Sequence, residues 1–211
     1  MNRRDVLRQL GALALCAGAA GFALAQERNR FITLSPPVQT GVEGKIEVVE
    51  FFYYGCPHCR DFDPLLQEWL KNLPADVVFT RVPVSWGDRD ARRQGEARLY
   101  YALQSVKRVG DLHEKVFAAI QDARMNPVNE DEVREWAGDQ GLDAKAFMSA
   151  YKSFGVQTQV RRAMQLAKAY KIEGVPTLAV DGRFVTSASQ TGSHQAALAE
   201  VDRLIGIARR K

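Results

Sequence analysis

The run Ile46-Glu47-Val48-Val49-Glu50-Phe51-Phe52 is almost continuously apolar, the pattern of a strand buried on both faces. From Pro57 onward, Phe62, Leu65, Leu66, Trp69 and Leu70 recur at helical spacing, with Pro64 expected to bend the first turns. Val77 to Val82 reads as a second strand, so the three segments form a βαβ unit. Residues 88 to 170 predict successive helices over Ala91–Val109, Leu112–Ala123, Asn129–Gly138, Asp143–Lys152 and Val156–Tyr170. Asn129 followed by Glu132 resembles a capping box, and Gly110 and Gly141 are expected helix stops. Val175 to Val180, an Asp181-Gly182 turn and Arg183 to Thr186 then predict a hairpin, followed by an amphipathic helix from Ser193 to about Ala208. The polar arm Gln26 to Gly44 holds one candidate short strand, Phe31 to Leu34, ended by Pro36-Pro37. The order is that of an α/β fold whose mixed sheet is interrupted by an all-helical insertion: residues 26–86 and 171–211 form one discontinuous domain and 87–170 the insertion. Phe51, Phe52, Trp69, Leu99, Leu103, Trp136 and Leu166 are expected in the core, and Trp86 at the joint between the two parts.

Residues 1–25 stand outside that pattern. A basic start with Arg3, Arg4 and Arg8, an apolar run from Leu10 to Leu24, and Ala23-Leu24-Ala25 before Gln26 have the three-part form of an export signal, too short and Gly-rich for a membrane span. Arg3-Arg4 leaves both the twin-arginine and the general export routes open. Cys16 falls inside this segment, so cleavage leaves two cysteines, Cys56 and Cys59. The formal charge of +4 also shrinks: without Arg3, Arg4, Arg8 and Asp5 the chain keeps 26 basic and 24 acidic residues. That balance gives no reason to expect nucleic acid as a partner. With 46% apolar and 26% charged residues the chain has the composition of a globular protein, and export permits disulfide chemistry.

The chemistry concentrates in Cys56-Pro57-His58-Cys59, directly after the buried strand and at a helix start. Positions three apart there have Cα atoms roughly 5 to 6 Å apart, within reach of a disulfide. Cys56 comes first, where free backbone N–H groups and the positive end of the helix dipole favour a thiolate; Cys59, one turn deeper, is expected to be less reactive. Stabilising the thiolate favours the reduced pair and so makes the disulfide more oxidising, and His58 can add a hydrogen bond or positive charge. Zinc would need about four ligands, and the mature chain offers these two cysteines plus scattered His58, His113 and His194, so no metal is expected. Haem attachment would want His where Arg60 stands. A purely structural disulfide is the remaining alternative, weakened by the shortness of its ring.

Glu50-Phe51-Phe52 through Cys56-Pro57-His58-Cys59, with Gly174-Val175-Pro176-Thr177 before the last hairpin, resembles the DsbA family of exported thiol:disulfide oxidoreductases, a thioredoxin-like fold interrupted by a helical domain. The resemblance covers residues 45 to 208. It implies a protein dithiol oxidase of the periplasm that donates the Cys56–Cys59 disulfide to folding exported proteins through a mixed disulfide. It further implies reoxidation by a quinone-linked membrane partner of the DsbB kind, with no bound cofactor and the enzyme acting as a monomer. By the same resemblance Cys56, Cys59 and His58 are catalytic, Pro57 supports them, and Val175-Pro176-Thr177 is a cis-proline loop that binds substrate as an added strand. Glu50 matches an acidic residue that relays a proton to Cys59, unless its carboxylate simply reaches solvent; Arg81 stands where the family often has Lys, and can pair with Glu50 without exchanging protons. Tyr54 is expected to line the substrate groove, and His113 and His194 to be structural. A reductase or isomerase of the same fold, or a peptide-binding chaperone with a structural disulfide, are the alternatives.

Overall fold

The structure, a computed structural model, describes residues 30–87 and 90–210; the export-signal reading of residues 1–25, with Cys16, lies outside them. Among the described residues five strands form one mixed sheet in the order β1-β5-β4-β2-β3. β2 (Ile46–Phe52) is parallel to β3 (Val77–Pro83), with Glu50 opposite Arg81, and antiparallel to β4 (Thr177–Val180), with Val49 opposite Ala179. β4 continues antiparallel into β5 (Phe184–Ser187). Asp181 and Gly182 both take positive φ, +57° and +66°, as the two central residues of a type I′ hairpin turn must.

The arm is part of this sheet. β1 (Ile32–Thr33) pairs antiparallel with β5, and the Leu34 and Val38 N–H groups donate to the carbonyls of Arg183 and Gly182 at 2.7 and 2.8 Å. Gly182 is required there for a second reason: a Cβ would stand 1.9 Å from the Val38 carbonyl oxygen.

Alternation along β2 assigns its two faces. Val48 packs with Phe62 and Leu66 of α1 (Pro57–Leu70) and Val201 and Leu204 of α8 (His194–Ala208). Val49 and Phe51 pack on the other face against Ala163, Ala167 and Tyr170 at the end of α6 (Phe154–Ala169). α1 runs without interruption through Pro64. Phe52, last in β2, enters a third core with residues of α2 (Ala91–Ser105) and α3 (Val109–Gln121). Its ring meets those of Tyr54, Tyr100, His113 and Phe117 at centroid distances of 5.2 to 6.2 Å, so the sheet end is plugged into the helices. α4 (Glu130–Asp139) and α5 (Ala144–Tyr151) complete the helical block. Leu99 and Leu103 are fully buried and Trp136 nearly so, whereas Trp69 and Leu166 lie at the half-buried edges of their cores. Trp86 is substantially exposed, its indole N–H donating to the Ile172 carbonyl at 3.0 Å.

Helix ends depart from expectation in one informative way. Gly110 stops nothing: it sits in the first turn of α3. The preceding helix ends at Lys107, φ +57°, where the N–H groups of Lys107 and Arg108 return to the carbonyls of Gln104 and Leu103. This is a Schellman stop built on lysine, as is the end of α6 at Lys171; only at Gly141 is the expected glycine used. A further short helix, α7 (Ala188–Thr191), follows β5 in a polar stretch without helical patterning and closes at Gly192, φ +95°.

Candidate active site

Cys56 is the N-cap of α1, with Pro57 in the first turn, where its missing N–H costs nothing and its fixed φ suits the helix. The Cys59 N–H donates to Cys56 Sγ at 3.4 Å, and the Cys56 thiol lies 3.7 Å from the Val175 carbonyl oxygen. Both cysteines are free and buried, Cys56 with only 4% of its surface exposed and Cys59 with none.

The two thiols are driven apart in acidity. Hydrogen bonding from the Cys59 thiol, then the backbone N–H groups of Cys59 and His58 and the His58 charge, pull Cys56 down to about 6 against the opposing effect of burial. Burial first, then the Cys56 thiolate and the Glu50 charge, push Cys59 far up. One group is a thiolate near neutral pH while the other holds its proton, which is the division of labour thiol–disulfide exchange needs.

Val175-Pro176 is a cis peptide bond, as is Ser35-Pro36, which nothing in the sequence singles out. The Val175 segment brings a groove of about 510 Å³ to the cysteines, lined by His58, Val175, Pro176, Thr177, Gln190 and His194. The Thr177 hydroxyl donates to the Gly174 carbonyl at 2.7 Å, pinning the loop. Tyr54 is absent from that groove. Its ring is wholly buried between Phe52 and Phe117, because the chain turns inward after β2 and the phenol finds a partner in His113 Nδ1 at 2.8 Å. The expectation that it lines the groove is thereby corrected.

Glu50 does not reach solvent. It is 2% exposed, and Arg81 Nε donates to its Oε2 at 2.9 Å while Arg81 Nη2 donates to Asp63 Oδ1 at the same distance. Burial outweighs the arginine and raises the Glu50 carboxyl to about 7, and Asp63 is also raised, burial again leading. Two carboxylates thus share one guanidinium in a buried site, which brings the proton exchange of Glu50 into the neutral range.

Several neighbours carry no sequence motif. Gln121, at the end of α3, donates to the carbonyls of Tyr54 and Cys56 at 2.7 and 3.1 Å, and Arg60 makes a two-pronged ion pair with Asp122 at 2.6 and 2.7 Å. Glu96, 1% exposed, accepts the Gly55 N–H at 2.9 Å. The helical block thereby holds the cysteine turn from one side as α1 holds it from the other. His113 is buried among the rings around Phe52, while His194 lies in the groove wall against Phe62, centroids 5.2 Å apart. No group of three or more metal-ligating side chains occurs among the described residues.

Residues 80–199 match the DSBA-like thioredoxin domain family. The chain is 43% identical over 208 residues to the thiol:disulfide interchange protein DsbA of Bordetella parapertussis, covering 97% of this chain and 98% of that one. It is 34% identical to the DsbA of Pseudomonas aeruginosa, over 94% and 96% of the two. The crystal structure of Pseudomonas aeruginosa DsbA superposes with a TM-score of 0.81 at 35% identity, covering 86% of this chain and 93% of that one. The chain belongs to the DsbA family of thiol:disulfide interchange proteins, a thioredoxin fold carrying a helical insertion, and it is a disulfide oxidoreductase.

Proposed function

We propose that this enzyme introduces disulfide bonds into exported proteins in the periplasm by donating the Cys56–Cys59 disulfide. The observation that carries the reading is the opposed acidity of the pair, Cys56 at about 6 and Cys59 held protonated. A substrate thiolate attacks Cys56 Sγ of the oxidised pair; the new mixed disulfide forms as the Cys56–Cys59 bond breaks, and Cys59 leaves with the electron pair and takes up a proton. The substrate's second thiolate then attacks its own sulfur of the mixed disulfide and expels Cys56 as the stabilised thiolate. The substrate has lost two electrons and the enzyme has gained them. Attack by Cys59 on Cys56 at the mixed disulfide would instead return the enzyme to its oxidised form.

Three units between an ordinary thiol at 9.0 and Cys56 at about 6 correspond to a stabilisation of the thiolate on the order of 4 kcal/mol. Only about a third of this, on the order of 30 mV, is realised at pH 7, one unit above the folded value. Pro57 shapes the helix start, His58 adds positive charge, Glu50 exchanges the Cys59 proton, and the backbone of Val175-Pro176-Thr177 pairs with an extended substrate segment. Residues 1–25 serve as the export signal, with residues 26–86 and 171–211 forming the thioredoxin-like domain and 87–170 the insertion. A quinone-linked membrane oxidase of the DsbB kind restores the disulfide.

The test is the reduction potential of the mature protein in glutathione buffers, together with oxidation of a reduced model substrate. A potential above the glutathione couple and loss of substrate oxidation in Cys56→Ser support the oxidase; a potential near thioredoxin's overturns it in favour of a reductase. A protein that oxidises no substrate and whose suppression of aggregation is unchanged in Cys56→Ser would be a chaperone instead.

A further inference from the structure

His113 is a buried imidazole for which the exchange chemistry of the cysteines has no stated use. Its Nδ1 lies 2.8 Å from the Tyr54 hydroxyl and its Nε2 3.6 Å from Asp63 Oδ1. The rings of Phe52, Tyr54, Tyr100 and Phe117 surround it, and burial together with the Arg81 cation keeps it neutral. A neutral imidazole carries one N–H. If that were Nδ1–H, the bare Nε2 lone pair would face the Asp63 carboxylate in a low-dielectric interior; if it is Nε2–H, Tyr54 donates to Nδ1 and the N–H dipole points at Asp63. The surroundings select the second. Burial also raises the Tyr54 phenol well above its ordinary value, so its proton is available to donate.

A chain of polar groups results: Tyr54 to His113, His113 toward Asp63, Asp63 to Arg81, and Arg81 to Glu50. Gln67 adds a donor to Asp63 at 3.3 Å. The charged and titratable groups facing this chain are Glu50 and Tyr54 from β2 and the turn after it, Cys59 and Asp63 from α1, Arg81 from β3, Tyr100 from α2, and Glu114 beside His113 on α3.

We propose that His113 is a positioning residue for the thiol–disulfide reaction: its Nε2–H, oriented by Tyr54, keeps Asp63 the ionised partner of Arg81 and leaves Glu50 as the carboxyl that exchanges a proton beside Cys59. The inference rests on the proton-exchange role proposed above for Glu50. When the disulfide opens, the leaving Cys59 thiolate takes the Glu50 proton and the resulting carboxylate is held by Arg81; when the disulfide reforms, the Cys59 proton returns to Glu50. His113 itself neither gains nor loses one. Its contribution is to decide which of two carboxyls competing for one arginine holds the proton.

The side-chain carboxyl carbons of Glu50 and Asp63, followed by NMR across pH 4 to 9 in the full mature protein, test this alongside the pH profile of substrate oxidation. In His113→Phe the Glu50 midpoint should fall by about one pH unit as Asp63 rises, with the activity profile following. His113→Gln, which keeps a donor, should restore part of the shift. Tyr54→Phe keeps the core ring and should move both midpoints the same way by less, and it decides the matter should His113→Phe not fold. Midpoints unchanged in these variants overturn the role of His113. A pH profile unchanged by Glu50→Gln overturns the exchange role of Glu50 instead, so the two failures are distinct.

Discussion

The acidity of Cys56 sets what the reduced enzyme does with pH. Its thiol is near 6 in the folded protein and 9.0 when free, so it contributes stability that is fully present above pH 9 and lost as pH falls through 6. The reduced protein is therefore expected to gain on the order of 4 kcal/mol relative to the oxidised protein between pH 6 and 9. Paired denaturant titrations of the two forms measure it, and a constant difference across that range would contradict a depressed thiol. Thiolate absorbance near 240 nm should titrate with a midpoint near 6, moving upward in His58→Ser, which removes a positive charge from the thiolate. Glu50 acts in the opposite sense. Its carboxyl is raised from 4.5 to about 7, so its protonated form favours the fold below pH 4.5 and that benefit disappears as pH rises through 7.

Among the elements, the ends of helices and strands hold the cysteine turn in place. Gln121 donates to two carbonyls of that turn, so Gln121→Ala leaves the Tyr54 acceptor unpaired in a largely enclosed site, while the Cys56 carbonyl keeps the Arg60 N–H at 3.2 Å. A loss of about 1–3 kcal/mol is expected in chemical denaturation. The Arg60–Asp122 pair beside it is solvent-exposed, and Asp122→Ala should cost clearly less than Gln121→Ala. Two glycines with similar positive φ separate conformational strain from steric conflict. Gly141→Ala, φ +71° in open space, should cost about 1–2 kcal/mol, whereas Gly182→Ala should cost clearly more because its Cβ meets the Val38 carbonyl at 1.9 Å. Equal losses in thermal unfolding would mean that the arm detaches at little cost. The Schellman ends at Lys107 and Lys171 show why these boundaries escape the sequence. A lysine accepts the left-handed conformation when two N–H groups find carbonyls and the next residue packs, as Ile172 does, and none of these conditions is local in sequence.

Across the whole molecule, the sheet and the helical block meet through aromatic packing. Phe52 is fully buried and touches four rings from the block and from its own turn. Phe52→Ala is expected to cost about 3–5 kcal/mol and to weaken the hold on Cys56, visible as a lower melting temperature together with a Cys56 thiol shifted toward its free value. A variant that melts lower with the thiol unmoved would show that the turn is held by α1 alone. The strand and helix order apart from α7, the cysteine pair at the N-cap, and the insertion between β3 and β4 were determined by local patterning: apolar periodicity, Pro and Gly at turns, and the Cys-Pro-His-Cys spacing. The docking of the arm as β1, the inward turn that buries Tyr54, and the pairing of Glu50 and Asp63 on Arg81 were decided only in three dimensions. Each depends on which groups burial leaves facing one another. A carboxylate or a phenol has the same covalent character in either place, and only the surrounding fold decides whether it meets water, an arginine or an imidazole.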